Sequence, residues 1–229
     1  MNKTAICLLS GGLDSATALY VALKEGFIVN ALTVDYGQSH KREIQSAQAI
    51  AGELGIEHEV IEVALPWKGS ALLDPGVAIP AGRSAAEIGS GIPATYVPAR
   101  NTVFLSLAAS WAETVRASHI FFGANIQDYS GYPDCRPEYL NAMAAVFRLG
   151  TKMGQEGTPI HIETPLIKLS KKLIILLGRA LGVPFEKTWS CYKGLAHPCG
   201  ECDSCLIRAK GFKDARLEDP LVTYVASAY

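Results

Sequence analysis

Thr4-Ala5-Ile6-Cys7-Leu8-Leu9-Ser10-Gly11-Gly12-Leu13-Asp14-Ser15 decides how this chain folds. The apolar run Thr4–Leu9 reads as a buried strand, Ser10–Ser15 as a turn and Ala16–Lys24 as a helix, with Ser15 already in its first turn. A strand that passes through a glycine-rich turn into a helix start is suited to holding an anion, because unpaired N–H groups collect there. Gly11 and Gly12 are free to take φ > 0 and to admit a ligand close to the backbone. Ser10 and Ser15 add hydroxyl donors, Leu9 precedes the turn and Leu13 lies within it. Asp14 differs from its neighbours: a carboxylate repels an anion unless a cation lies between them, so it reads as a magnesium-side or loop-orienting residue. The stretch lacks the Gly-Lys-Ser/Thr ending of a Walker loop.

Outward from this turn the pattern repeats. Phe27–Tyr36 reads as a second strand, Ser39–Leu54 as a helix stopped by Gly55, and Glu59–Val63 as a third strand. A β-α-β-α-β order implies a parallel sheet with right-handed crossovers and a ligand site beyond the carboxyl ends of the strands. Asp35, Tyr36 and Gly37 end the second strand at that same edge. Residues 64–98, rich in glycine, proline, serine and alanine, show no period and read as a long loop, partly mobile and placed as a lid. Pro98-Ala99-Arg100-Asn101 opens a helix whose apolar stripe is Val103, Phe104, Leu107, Ala108 and Trp111. Asn101 fits either an N-cap or a site residue, and Arg100 either a surface charge or a partner for phosphate or carboxylate.

Ser118–Ala124 reads as a fourth strand. The loop that follows is dense in polar and aromatic groups, among them Asp128, Tyr132, Asp134 and Arg136. Rings to stack and carboxylates to accept paired N–H donors suit a planar heterocycle; Asp134 serves equally well to start a turn. A helix over Pro137–Leu149, a short strand at His161–Thr164 and a helix capped by Ser170 and ended by Gly182 complete the pattern. Lys168 and Lys171 flank the start of that last helix, either solvated or set to balance phosphate.

Cys191, Cys199, Cys202 and Cys205 follow the spacing C-x7-C-x2-C-x2-C. Two short spacings bring thiolates onto one metal through tight turns, and four thiolates make a closed, structural zinc site. An iron–sulfur cluster is the alternative for the same ligands, and His197 an alternative ligand. Cys7 reads as a small buried hydrophobe, and Cys135 as either reactive or inert. The expected fold is therefore α/β: a Rossmann-like parallel sheet flanked by helices over residues 1–185, with a small zinc-binding element over 186–229.

The bulk numbers agree. Among 229 residues, 49% are hydrophobic and 19% charged, enough for a sizeable core, and the net charge of −1 gives no general drive toward nucleic acid or anionic membrane. No apolar run approaches the roughly 18 residues of a membrane span. The N-terminus has no signal-peptide pattern, so a cytoplasmic location is expected.

The first motif resembles the pyrophosphate loop of the ATP pyrophosphatase superfamily, with its adenine nucleotide alpha hydrolase-like fold. SGGLDS at 10–15, DYGQSHKREI at 35–44, PARNTVFL at 98–105, DYSGYPDCR at 128–136, ETPL at 163–166, TWSCYKG at 188–194 and CGECDSC at 199–205 together resemble the 7-cyano-7-deazaguanine synthase family of queuosine biosynthesis. Ala99 stands where some members of that family carry glycine. The resemblance implies that ATP adenylates the carboxylate of 7-carboxy-7-deazaguanine, that ammonia displaces AMP to give an amide, and that a second ATP converts the amide to the nitrile. It implies a homodimer using ATP, Mg²⁺ and Zn²⁺, with no nucleic-acid or membrane partner. Ser10, Gly11, Gly12, Asp14 and Ser15 would hold pyrophosphate with Mg²⁺, Leu9 and Leu13 would complete the nucleotide contact, Asp35, Tyr36 and Gly37 would approach the nucleoside, and Asn101, Asp128, Tyr132, Asp134 and Arg136 the deazaguanine. Ser10, Asp14, Ser15, Arg100, Lys168 and Lys171 are then the candidates for the chemistry. A tRNA thiolase of the same superfamily and a non-catalytic, zinc-stapled ATP binder are the alternatives.

Overall fold

Alternation within the first strand builds two cores at once. Ala5, Cys7 and Leu9 face one side of the sheet and Ile6 and Leu8 the other, and all five are buried. Only a strand covered on both faces reads as an unbroken apolar run. The computed structural model describes residues 3–126 and 131–222, so Asp128 lies outside the described residues. Its strands are β1 (Thr4–Leu8), β2 (Ile28–Asp35), β3 (His58–Glu62), β4 (His119–Phe122) and β5 (His161–Glu163). Its helices are α1 (Leu13–Lys24), α2 (Arg42–Leu54), α3 (Ala85–Ile88), α4 (Arg100–Val115), α5 (Pro137–Gly150), α6 (Lys152–Gln155), α7 (Lys171–Leu181) and α8 (Asp203–Asp214).

All strands pair in parallel, in the order β3-β2-β1-β4-β5. Residues of α1, α2, α7 and α8 bury one face; α4 and α5 bury the other. This is the expected α/β sheet. Phe212 of α8 belongs to the same core as α1 and α7, and Phe185 meets it edge-on at 5.5 Å, so the cysteine-bearing tail is packed directly onto the sheet's helices.

Four expectations are revised, each for a tertiary reason. Helix α2 starts at Arg42 rather than Ser39. The preceding backbone is engaged elsewhere: the Tyr36 N–H donates to Gln38 Oε1, the Gly37 N–H to Asp35 Oδ1 and the Ser39 N–H to the Leu72 carbonyl. Asn101 does not cap α4 but lies inside it, and its own N–H donates to Asp134 Oδ2 at 3.2 Å. The buried stripe of α4 is Asn101, Leu105, Ala108, Ala109 and Ala112, one position rotated from the apolar pattern. Residues 64–98 are tethered: Leu72 joins a core cluster, Ala81 bridges to Cys202, Arg83 forms a bidentate ion pair with Asp203, and Thr95 bonds Tyr132.

Two backbone positions decide the turns that matter. Gly11 has φ +83°, and a Cβ there would lie 2.0 Å from the Glu43 carbonyl oxygen, so the turn is pressed against α2. Ala99, which carries a side chain, sits at φ 54° and ψ 19°, in the left-handed region that L-residues occupy at a cost. Gly11→Ala is expected to destabilise the fold by roughly 2–4 kcal/mol, and Ala99→Gly to stabilise it by about 1 kcal/mol. Urea denaturation checks both; an unchanged midpoint in Gly11→Ala contradicts the packing described.

Candidate active site at the sheet switch point

Strand order reverses between β1 and β4, and a crevice opens at such a switch point. Here it is a cavity of about 260 Å³. Its floor is the Ser10–Ser15 turn, locked by a ring of hydrogen bonds. The Gly12 N–H donates to Ser10 Oγ (3.3 Å), Ser10 Oγ and Ser15 Oγ lie 3.0 Å apart, and Ser15 Oγ donates to the Gly12 carbonyl (3.0 Å). A hydroxyl has one proton, so Ser10 must donate to Ser15. Both hydroxyl protons are therefore spent within the turn and hold its shape. Gly12 takes φ −78° rather than a positive angle, and α1 has no side-chain cap. The donors left for an anion are the backbone N–H groups of the first helical turn. Gly123 at the end of β4 approaches from the other side: a Cβ there would sit 2.9 Å from the Ser15 nitrogen.

Lys171 enters from α7. Its Nζ lies 2.7 Å from both carboxylate oxygens of Asp14, and the lysine is 9% exposed. The site thus holds its cation beside the turn before any anion arrives. Lys168 is exposed and does not line the cavity.

The far wall is aromatic. Arg100 Nη1 donates to the Tyr36 hydroxyl at 3.1 Å, and its guanidinium lies over the rings of Tyr36 and Phe104 at 5.3 and 5.8 Å. Burial opposes the Arg100 charge, but Tyr36, Tyr132 and Asp134 around it more than offset this and keep it protonated. Tyr132 and Asn101 line the same wall. Asn101 is held there by its amide, which donates to the Asp134 carbonyl (3.3 Å) and to Cys135 Sγ (3.4 Å). Burial, with help from Asp134, pushes the Cys135 thiol up to about 12, so this thiol is inert at neutral pH.

Glu43, from the first turn of α2, also lines the cavity. Burial pushes its carboxyl up to about 7, against the pull of Arg100 and with a small push from Cys191. Sequence reading did not single it out, although Glu43, Ala47 and Ile50 share one helical stripe, which placed its side chain inward.

The cysteine cluster abuts the turn. The Trp189 N–H donates to the Gly11 carbonyl at 2.9 Å, and Trp189 Nε1 to the Cys191 carbonyl at 2.9 Å. The four Sγ atoms of Cys191, Cys199, Cys202 and Cys205 all lie within 4.8 Å of one another. A tetrahedral zinc with four thiolates needs about 3.8 Å between sulfurs, so the donor set fits that ion. Cys202 and Cys205 hydrogen-bond to Cys191, as do the backbone N–H groups of Cys199 (3.3 Å) and Lys193 (3.4 Å), and they hold the Cys191 thiol far below its usual range.

A family model described as queuosine biosynthesis protein QueC matches residues 4–216. The chain belongs to that family. It is 53% identical over 220 residues to a 7-cyano-7-deazaguanine synthase of Trichodesmium erythraeum, covering 95% of this chain and 99% of that protein. It is 52% identical over 221 residues to one of Thermoplasma acidophilum, covering 96% and 92%. Among solved structures, a 4-thiouridine synthetase–RNA complex with bound ATP shares the fold at TM-score 0.50 and 19% identity, over 99% of this chain and 53% of that one.

In this QueC-family chain the cavity gathers Leu9, Ser10, Gly12, Leu13, Asp14, Ser15, Tyr36, Arg100, Asn101, Tyr132 and Lys171 from the residues expected. Gly11, Asp35, Gly37, Asp134, Arg136 and Lys168 do not line it. Asp35 pairs with Lys41 and shapes the loop after β2; Asp134 is 5% exposed and caps α4; Arg136 is exposed at the start of α5.

A raised Glu43 pKa has a consequence for stability. Between the ordinary carboxyl pKa and about 7 the folded state holds a proton the unfolded state has lost, so stability falls as pH rises through that window. The melting temperature of Glu43→Gln relative to the parent is expected to climb from pH 5 to pH 7 and then level. A pH-independent difference contradicts the half-buried, unpaired carboxyl.

Proposed function

We propose that this chain converts 7-carboxy-7-deazaguanine and ammonia to 7-cyano-7-deazaguanine, with ATP as the activating co-substrate. Near-full-length relatives at 52–53% identity carry the name 7-cyano-7-deazaguanine synthase, and that observation carries the proposal. The cavity's chemistry supports it. A carboxylate is a poor electrophile because its leaving group is oxide; joining it to AMP supplies a better one. The residues must then hold ATP with its α-phosphorus facing the acid and stabilise the departing pyrophosphate, tasks of position and preorganised donors.

The backbone N–H groups at the start of α1 and the Lys171 ammonium are the donors for pyrophosphate. Asp14 would hold Mg²⁺, which supplies neutralising charge to the phosphates. Arg100, fixed by Tyr36, stands at the aromatic wall, where Tyr132 and Asn101 are the candidate contacts for the heterocycle. Ser10, Asp14, Ser15, Arg100 and Lys171 line the cavity and are the residues proposed for the chemistry; Lys168, exposed, does not line it. The cysteine cluster would bind zinc and brace the turn through Trp189. No described helix is long and apolar enough to cross a membrane. A cytoplasmic homodimer acting on small molecules, without nucleic acid, completes the proposal.

Incubation of the protein with ATP, Mg²⁺, ammonia and the 7-carboxy base is expected to give nitrile and AMP by mass spectrometry. AMP formed only with tRNA and a sulfur donor, or ATP bound without turnover, contradicts it. Cys199→Ser is expected to lower zinc content by metal analysis and the melting temperature together; unchanged zinc overturns the metal assignment.

A further inference from the structure

Glu43 has no role in the adenylation just described. Its carboxylate lines the cavity, yet no hydrogen bond or ion pair joins it to another described residue. Its position is fixed by backbone: the Glu43 carbonyl oxygen would be 2.0 Å from a Cβ on Gly11, so the residue stands directly against the turn. Arg100 from α4 and Cys191 from the cysteine segment are the charged groups that act on it, the Tyr36 hydroxyl at the end of β2 is coupled to it, and His40, three residues earlier in the loop before α2, lines the same cavity with a buried Nδ1 that has no partner. Across the cavity floor, Asp14 and Lys171 neutralise one another. The Glu43 carboxyl is half-buried, so it has lost part of its hydration and gains a partner only when a donor enters the cavity.

Resting on the proposed function, the chemistry supplies that donor. Ammonia attacks the acyl-adenylate carbon, the C–O bond to AMP breaks, and the new nitrogen must lose one proton to become an amide. The amide oxygen attacks the α-phosphorus of a second ATP, pyrophosphate leaves, and the nitrogen loses a second proton. The C–O bond to the second AMP then breaks as the third N–H proton leaves, giving the nitrile. Every bond change at carbon is thus paired with loss of a proton from the same nitrogen, and no oxidant or reductant is needed. We propose that Glu43 accepts these protons. A carboxyl that burial holds near neutrality is matched to the task, since it is both available as base and able to release its proton to solvent between steps.

The test separates adenylation, which moves no N–H proton, from nitrogen insertion. Glu43→Gln is assayed with the 7-carboxy base alone for exchange of labelled pyrophosphate into ATP, and with ammonia for nitrile. Nitrile formation is expected to fall by about 10²–10⁴ while exchange falls less than about tenfold. At fixed free ammonia, the parent rate is expected to rise with pH through the Glu43 titration, and this limb to vanish in Glu43→Gln. Parallel loss of exchange and nitrile, or wild-type nitrile formation in the variant, overturns the proposal. Should Glu43→Gln fail to fold, Glu43→Asp decides: a slower rate that keeps the pH limb supports it, and a wild-type rate or a lost limb overturns it. A parent protein that makes no nitrile at all instead overturns the proposed function, and this inference with it.

Discussion

The close approach of Gly11 to the backbone of α2 governs the arrangement of the site. With no side chain at Gly11, the Ser10–Ser15 turn can lie against the Glu43 carbonyl, and Gly123 lets β4 close on Ser15 from the opposite side. The turn is thereby held between two backbones rather than by side chains. Its serine hydroxyls complete an internal ring, and the N–H groups at the start of α1 are left facing the crevice. The same contact sets where Glu43 stands, so the anion-binding turn and the unpaired carboxyl are products of one packing event.

The C-terminal segment is part of this arrangement. Trp189 bonds the Gly11 carbonyl on one side and the Cys191 carbonyl on the other, so the cysteine cluster lies two hydrogen bonds from the turn. Arg208 of α8, 5% exposed, pairs with Asp219 and bonds Thr188, Ser190 and the Phe185 carbonyl, which fixes the strand of chain carrying Trp189. A metal in the cluster would stiffen a region whose small apolar core, among the described residues, is Trp189, Leu221 and the cysteines with Ile79 and Tyr192 against them. Folding of the tail and shape of the site are thus linked by geometry.

Much of the fold was legible because its signals are local. Apolar strands, glycine stops and the β-α order of the first 63 residues dictate a parallel sheet, and the cysteine spacing dictates a cluster. What was not legible depends on partners distant in sequence. Asp134 fits either a ligand contact or a turn; it sits in the short turn Pro133–Cys135 and accepts the N–H of Asn101, 33 residues away, at the start of α4. Asp35 reads as a nucleoside contact but is taken by Lys41. The choice between Lys168 and Lys171 was available: Lys171, Ile174, Ile175 and Gly178 form one buried stripe of α7, which carries Lys171 inward to Asp14, whereas Lys168 precedes the helix. The left-handed Ala99 is a cost borne at the start of the helix that delivers Arg100.

A structure with a non-hydrolysable ATP analogue and Mg²⁺ bound tests whether the turn is a pyrophosphate cradle. The β- and γ-phosphates should accept hydrogen bonds from the N–H groups at the start of α1, with Lys171 Nζ drawn from Asp14 onto a phosphate oxygen. Phosphates lodged elsewhere, with the Lys171–Asp14 pair intact and those N–H groups uncontacted, would contradict the account.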